Sequence, residues 1–270
     1  MIKKILKKVL KKIIAFYHKN STPIPKEEVR IFYLLKDKMN TVFDIGARTD
    51  LIFYHTKGNC SYHLFEPNHD FVLLLKKQIS TFRNHNIKLN EYGLSDKRED
   101  NMIYYENSQS FIINPILKIG DDIGKRYSLR RLDDYVVENN IQKIDFLKID
   151  AEGLDYRIMI GGINTIKNKV SFIQFEYWDG VRKFADLISD NFNLYLIIEE
   201  RLLRAILKIV IHTMTPSQKK INFNKSIIKL DEAVISLIDD KLIPLGCGGN
   251  IFGIHKDMKD IDIEKLTFTI

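Results

Sequence analysis

Three short apolar runs in this chain each carry acidic residues at or near their carboxyl ends, close to a turn residue. They are Val42–Gly46 with Asp44, Tyr62–Pro67 with Glu66, and Ile144–Gly153 with Asp150 and Glu152. A parallel sheet places its ligand site beyond the carboxyl ends of its strands, so these acids are expected to converge on one ligand. Carboxylates accept hydrogen bonds, so the ligand should offer hydroxyl or amine groups.

The third run also has the residues that proton abstraction requires. A hydroxyl group is a poor nucleophile and gains from a general base that removes its proton. Asp150 and Glu152 are the leading catalytic candidates, and Glu176 is the third. Glu152 could instead cap a helix that begins near Leu154. Paired acids could also bind a divalent cation, but no second ligand cluster accompanies them, so we predict no metal site.

A candidate substrate site follows at Phe175–Gly180, which contains the only tryptophan of the chain, Trp178. An aromatic ring beside acids suits a sugar, because the apolar face of the sugar stacks on the ring while acids accept its hydroxyls. We therefore predict substrate contacts by Tyr177 and Trp178. Arg182 could meet an anionic sugar or a phosphate. The alternative is a core aromatic residue at the edge of the sheet.

These segments resemble the FkbM family of S-adenosylmethionine-dependent methyltransferases. Lys148–Gly153 matches the family's Lys-Ile-Asp-x-Glu-Gly signature, and Asp44–Ala47 resembles the start of its cofactor loop. Phe65–Pro67 resembles its second-strand motif, and Leu132–Tyr135 resembles the segment that leads into the signature. The resemblance is best over residues 40 to 178 and implies methyl transfer, commonly to glycans, polysaccharides or natural products.

The resemblance also implies a set of residues that bind S-adenosylmethionine: Asp44, Gly46, Arg48, Glu66, Asp96 and Asp150. Gly46 would let the backbone approach the cofactor, and Glu66 would accept from both ribose hydroxyls. Asp96 would contact the adenine amine, and Asp150 the methionine end. Glu66 could instead cap the next helix through Asn68.

The loop after the first strand argues against a dinucleotide, whose pyrophosphate needs three glycines where this loop has only Gly46. The loop also differs from the family pattern, with Arg48 in place of Asn and Asp50 in place of Gly. Arg48 could pair with the carboxylate of the cofactor. We expect an O-methyltransferase that acts on a sugar hydroxyl in a glycan or polysaccharide. The alternatives are a non-catalytic methyltransferase-fold partner at a membrane and a natural-product O-methyltransferase.

The elements that must position these residues alternate along the chain. Apolar strands are predicted near 41–46, 61–66, 87–91, 144–150 and 170–176, with helices near 50–56, 68–83, 153–160 and 180–191. With further strands near 192–198 and 250–255, this pattern predicts an α/β fold with a doubly wound, mostly parallel, seven-stranded Rossmann-like sheet. Residues 94 to 131 could form a small strand pair over the site. We predict a linker and helix over 21–40 and a methyltransferase domain over 41–270. Within that domain, a helical insertion near 200–245 would be either a lid or a plain surface excursion.

The net charge of +7 belongs to the first 20 residues, which contain seven lysines and no acid. The rest of the chain is neutral, so we expect no nucleic-acid partner. Ile2, Ile5, Leu6 and Val9 begin a helical apolar pattern that predicts a cationic amphipathic helix. Residues 1–18 of this helix could lie on an anionic membrane, pack on the body or on a second copy in a homo-oligomer, or bind RNA.

Lysine pairs interrupt the N-terminal pattern too often for a transmembrane span, and no signal-peptide core is present. The two cysteines, Cys60 and Cys247, have no metal spacing and give no reason to expect a disulfide framework. We therefore expect a cytoplasmic protein, with peripheral attachment to the cytoplasmic face of a membrane if the helix binds lipid.

Overall fold

The computed structural model describes residues 27–49, 51–54, 60–82, 86–104, 125–208 and 210–267. The strands are β1 Thr41–Ile45, β2 Ser61–Phe65, β3 Asn86–Asn90, β4 Gly93–Leu94, β5 Glu99–Tyr104, β6 Lys125–Arg130, β7 Ile144–Ile149, β8 Val170–Tyr177, β9 Phe192–Ile197, β10 Ile227–Lys229 and β11 Gly249–His255. The α-helices are α1 Glu27–Leu35, α2 His69–Ile79, α3 Leu132–Glu138, α4 Asp155–Gly161, α5 Ile163–Lys169, α6 Arg182–Ile188, α7 Glu200–Lys208, α8 Glu232–Leu237 and α9 Ile263–Leu266. A π-helical segment, Ile238–Leu242, follows α8, and short 3₁₀ turns occupy Lys36–Lys38, Val210–His212, Gln218–Lys220 and Ile243–Leu245.

The main sheet has the strand order β10-β9-β11-β8-β7-β1-β2-β3. Five strands of this sheet are parallel to one another, namely β8, β7, β1, β2 and β3. The other three, β11, β9 and β10, run antiparallel to their neighbours. This arrangement confirms the α/β, doubly wound, mostly parallel prediction. The predicted count of seven strands is wrong, because β10 adds an eighth. A strand of three residues carries too little alternation to be recognised in a segment that otherwise reads as helical.

The segment after β1 also departs from the prediction. Residues 51–54 form a turn, closed by a hydrogen bond from Tyr54 N to Leu51 O, where a helix near 50–56 was expected. Phe53 is buried there to 3% exposure and stacks on Phe146 at a centroid distance of 5.9 Å. The ring of Phe53 is buried against the sheet, and this is the physical reason why residues 51–54 form a turn and not a helix.

Apolar side chains cover both faces of the parallel strands. Phe43, Leu147 and Phe175 belong to one core, together with residues of α3 to α6. Phe146 and Val42 belong to a second core, together with residues of α1. A parallel sheet buried on both faces is rigid, so the carboxyl ends of its strands are held in fixed relative positions.

A small sheet with the order β4-β6-β5 covers one side of these strand ends. β5 and β6 pair antiparallel, and β4 pairs parallel with β6. The segment after β4 is fastened to α4 by close backbone packing, since a Cβ on Gly161 would lie 2.0 Å from the carbonyl oxygen of Ser95. The strand pair predicted between residues 94 and 131 is therefore present as part of a three-stranded sheet.

The N-terminal amphipathic helix predicted over residues 1–20 and the linker that follows it lie outside the described residues, as does Asp50. Within the part of the chain that the structure describes, no helix is long and apolar enough to cross a membrane.

Candidate functional site

A cleft opens at the carboxyl ends of β1, β2 and β7, between these strands and the small sheet. Its empty space, counted together with the part open to solvent, is about 480 Å³. Its apolar walls include Phe65, Leu94, Tyr127, Leu129 and Leu154. Its polar groups are Arg48, Glu66, Asp150 and Glu152. The cleft therefore brings together acids that follow different strands, as the sequence pattern predicts.

Gly46 allows the ends of β1 and β7 to approach each other. Its φ is +82°, and a Cβ at this position would lie only 1.8 Å from the carbonyl oxygen of Asp150. The Asp150 amide donates to the carbonyl of Ile45 at 3.0 Å, and the Gly46 amide donates to that of Phe65 at 2.9 Å. The glycine thus joins three strands at the floor of the cleft, a structural requirement in addition to the ligand approach predicted for it.

Glu66 lies at the end of β2 and is only 1% exposed. Its two carboxylate oxygens accept hydrogen bonds from the backbone amides of Arg48 and Asn68, both at 2.8 Å. Asn68 in turn caps α2 by accepting from the amide of Asp70. Burial raises the pKa of Glu66 to about 7, although the two backbone hydrogen bonds oppose that shift. Glu66 therefore fixes the loops after β1 and β2, lines the cleft and retains lone pairs that these two hydrogen bonds do not use.

Arg48 and Glu152 face each other across the cleft in left-handed backbone conformations. Their φ angles are +53° and +50°, and Arg48 Nη1 lies 3.3 Å from Glu152 Oε1. Such conformations cost on the order of 1–3 kcal/mol each and are concentrated at functional sites. Burial and the charge of Asp150 raise the pKa of Glu152, while Arg48 and Lys148 lower it.

Asp150 is the centre of a row of polar groups on the β8 side of the cleft. Its Oδ2 lies 3.1 Å from the ammonium of Lys148. Glu176, at the end of β8, forms a hydrogen bond with Asp150 and accepts one at 2.9 Å from the indole N–H of Trp178. Burial, and then the charge of Asp150, raise the pKa of Glu176 to about 8, against the opposing effects of Lys148 and of the Trp178 hydrogen bond. Glu176 and Asp150 therefore form a carboxyl pair that favours keeping a proton between the two side chains.

Lys148 and Asp155 are two further charged residues around Asp150, and the sequence analysis assigned a role to neither of them. Lys148 is fully buried within β7 and lies 5.6 Å from the centroid of the Phe53 ring. A lysine inside an otherwise apolar strand is rare unless it is paired, and that was the signal that could have identified it. Asp155 begins α4, and burial, followed by the charge of Asp150, raises its pKa to about 6.

The family model of the methyltransferase FkbM domain matches residues 44–190, more than half of the chain. The chain belongs to the FkbM methyltransferase family. The resemblance seen in the strand-end motifs is confirmed, and family membership implies the use of S-adenosylmethionine. The matched region contains every residue of the cleft and the row that leads to Trp178.

Solved methyltransferase structures resemble parts of this FkbM protein at low identity. The FkbM methyltransferase from Methylobacillus flagellatus KT is 16% identical with a TM-score of 0.41, and the match covers 58% of this chain and 39% of that one. StiE O-MT is 11% identical with a TM-score of 0.43, covering 87% and 75%. The precorrin-6y C5,15-methyltransferase from Geobacter metallireducens GS-15 is 12% identical with a TM-score of 0.38, covering 66% and 80%. Comparison with curated proteins gives no match.

Two residues predicted for the site are buried away from the cleft of this FkbM protein. Asp44 is 4% exposed and faces the opposite side of β1, where it lines a separate small pocket with Phe53 and Tyr62. Tyr177 is 1% exposed and belongs to the hydrophobic core. The pleat of the strands is the reason, because successive side chains point to opposite faces. Neither Asp44 nor Tyr177 lines the cleft in this arrangement, so their predicted contacts with the cofactor and the substrate remain predictions.

Two further predicted residues are engaged elsewhere. Asp96 accepts hydrogen bonds from Arg157, with Nη2 at 2.7 Å, and does not line the cleft. Arg182 forms a two-pronged pair with Glu232, at 2.8 and 3.2 Å. A contact of Asp96 with adenine, or of Arg182 with an anionic group, would therefore share a side chain that is already ion-paired.

The start of α6, which carries Arg182, is held by a distant residue. Asp239, in the π-helical segment, accepts hydrogen bonds from the backbone amides of Val181 at 2.7 Å and Arg182 at 3.2 Å. A carboxylate at this position satisfies amide groups that have no partner within the helix. The loop after β8 is thereby attached to the C-terminal part of the chain.

A metal-centred site has no support in the part of the chain that the structure describes. No group of three or more His, Cys, Asp or Glu side chains there is arranged to hold an ion. The acids of the cleft are instead paired with Arg48 and Lys148.

Proposed function

We propose that this protein is an S-adenosylmethionine-dependent O-methyltransferase that acts on a sugar hydroxyl of a glycan or polysaccharide. The observation that carries the proposal is the position of Asp150. It lines the cleft on one side and is hydrogen-bonded on the other to Glu176, which holds the exposed Trp178. One carboxylate thus borders both a pocket for a nucleoside and a surface suited to a sugar.

The residues of the cleft fit the chemistry of the cofactor. Glu66 has lone pairs left for the two ribose hydroxyls. The Arg48 side chain is 58% exposed, so it is accessible to the carboxylate of the methionine moiety. Asp150 and Glu152 supply negative charge for its amine and sulfonium groups. When bound, S-adenosylmethionine supplies a methyl group activated by a positively charged sulfur.

Among the three candidate bases, Asp150 fits best. Glu176 does not line the cleft, whereas Asp150 and Glu152 do. Of these two, Asp150 is the acid that also contacts Glu176, and through it the group that holds Trp178. In the proposed reaction the acceptor oxygen bonds to the methyl carbon while the carbon–sulfur bond breaks and leaves its electron pair on sulfur. The hydroxyl proton passes to the Asp150 carboxylate.

Positioning contributes much of the rate in an in-line displacement, because the reacting atoms must be aligned at about 3–3.5 Å. Here the alignment depends on the rigid strand ends. Asp150 is fixed by its amide hydrogen bond to Ile45, by the Lys148 ammonium and by Glu176. A base held by three contacts requires little reorganisation when the acceptor arrives.

The decisive experiment is a calorimetric titration with S-adenosylhomocysteine. Wild-type protein should bind it, and Glu66→Ala should weaken binding by about 1.5–3 kcal/mol, the usual range for hydrogen bonds to a charged group. Glu232→Ala is the matched control, since this acid is paired with Arg182 and does not line the cleft. No binding by the wild type, or equal losses in both variants, would refute the cofactor site. Binding without methyl transfer to any glycan would favour a non-catalytic partner protein.

A further inference from the structure

Trp178 is unusual because the only tryptophan of the chain is left 43% exposed at the end of β8. A large aromatic ring on the surface is common at binding sites, where its area contributes to recognition. Its orientation is not free, since the indole N–H donates to Glu176 at 2.9 Å. The ring is thus an exposed apolar surface whose position is fixed.

Gly248, in the turn before β11, lies directly against this ring. A Cβ at this glycine would be 2.7 Å from Trp178 Cε3, 2.9 Å from its Cδ2 and 2.6 Å from the carbonyl oxygen of Tyr177. Its neighbour Gly246 is explained by a left-handed φ of +68° and has no atom within 4 Å of a built Cβ. Gly248 has no such backbone requirement. Its lack of a side chain is explained by two close neighbours, the carbonyl oxygen of Tyr177 and the indole ring that packs on it.

Glu176 connects the ring to the reacting side of the site. It accepts from Trp178, is hydrogen-bonded to Asp150, and stands opposite Asn250 in the pairing of β8 with β11. Asn250 is itself held, because its amide donates to Glu199 at 3.0 Å. The ring is therefore two hydrogen bonds away from the carboxylate proposed as the base.

We propose that Gly248 and Glu176 hold Trp178 as a stacking surface for a neutral pyranose ring of the acceptor, beside Asp150. The inference rests on the proposed function and assigns the class of sugar. The charged groups around the surface disfavour an anionic sugar. The Asp150 carboxylate lies beside it, and the two basic residues that follow Trp178 are already paired, Lys183 with Asp179 and Arg182 with Glu232.

The emission of Trp178 reports on this surface without a label, because no other tryptophan contributes. The probes are methyl α-D-glucopyranoside, methyl α-D-mannopyranoside and methyl β-D-galactopyranoside, titrated into the full chain, with D-glucuronate as the anionic comparison. At least one neutral pyranoside should change the emission saturably, and glucuronate should bind at least tenfold more weakly. Gly248→Ala should reduce the affinity for that pyranoside at least tenfold, whereas Gly246→Ala should leave it within about threefold.

Glu176 provides a second test that does not depend on the folding of the glycine variant. Glu176→Gln retains an acceptor for the indole and a donor for Asp150, so it should keep sugar affinity within about threefold. Glu176→Leu removes both groups and should lose at least tenfold. A wild-type emission unchanged by all three pyranosides, or equal affinities in the glutamine and leucine variants, would overturn the stacking surface. Calorimetry with S-adenosylhomocysteine on the same samples separates that result from a failure of the cofactor site.

Discussion

The close approach of β1 and β7 at Gly46 gives a quantitative prediction for Gly46→Ala. An alanine would have to adopt a φ near +82°, which costs about 1–2 kcal/mol. Its Cβ would also stand 1.8 Å from the Asp150 carbonyl oxygen, well inside the 3.0 Å that real Cβ contacts require. Relieving that overlap moves the two backbones apart and breaks the hydrogen bond from Asp150 N to Ile45 O, at a further cost of about 1–3 kcal/mol. The free energy of unfolding should fall by about 2–5 kcal/mol.

Gly246→Ala is the matched control, because its φ is +68° and open space surrounds its Cβ position. It should lose only the conformational part, about 1–2 kcal/mol. Urea unfolding of both variants measures the difference. Calorimetry with S-adenosylhomocysteine should show more than a tenfold loss of affinity for folded Gly46→Ala and no change for Gly246→Ala. Equal destabilisation of the two proteins would refute the close approach of β1 and β7.

Three further predictions concern pH, the base and the N-terminal segment. Burial raises the pKa of Glu66 from 4.5 to about 7, so between these pH values the folded protein keeps a proton that the unfolded chain has released. The free energy of unfolding should therefore fall by up to about 3 kcal/mol as the pH rises from 4.5 to 7. Urea unfolding measured across this pH range should show a smaller fall in stability for Glu66→Gln than for the wild type. Parallel curves of stability against pH for the two proteins would contradict the raised pKa of Glu66. Asp150→Asn should reduce methyl transfer by about 10²–10⁴-fold with cofactor affinity changed only severalfold, and Glu152→Gln should reduce it less than tenfold. A reversed order in a radiolabelled methyl-transfer assay would make Glu152 the base. A chain that begins at Asn20 should lose salt-sensitive co-sedimentation with anionic liposomes, since each lysine near the surface contributes about 1 kcal/mol. Equal sedimentation of the truncated and full chains would rule out membrane attachment, and a changed oligomeric state would favour a packing helix.

The strand-end acids could be predicted from the sequence because the signal is local. Glu66 and Asp150 each follow a short apolar run, and the parallel sheet brings those runs together whatever the details of packing. Trp178 was found for the same reason. The face of the sheet to which each side chain points was harder to predict, because a shift of one residue along the strand reverses it. This is why Asp44 and Tyr177 do not line the cleft.

Partners distant in sequence were beyond local reasoning. Asp96 is bound by Arg157, 61 residues away, and Arg182 by Glu232, 50 residues away. Both residues have the chemistry that the predicted roles require. No spacing rule, however, shows that a compensating charge will fold against them. The role of Gly248 depends in the same way on an indole ring that is 70 positions earlier in the chain.

The cap that Asp239 places on the start of α6 has a consequence for how this protein can diversify. The cofactor cleft is built from residues within the family match, which ends at 190. The surroundings of Trp178 depend on Asp239, Gly248 and Asn250, which all lie beyond it. The cofactor half of the proposed site thus lies within the family match, whereas the acceptor half combines Glu176 and Trp178 from within it with residues that follow it. On the proposed assignment, substitutions after residue 190 would reshape the acceptor surface, and so change the acceptor that is methylated, while Gly46 and Glu66 stay in place.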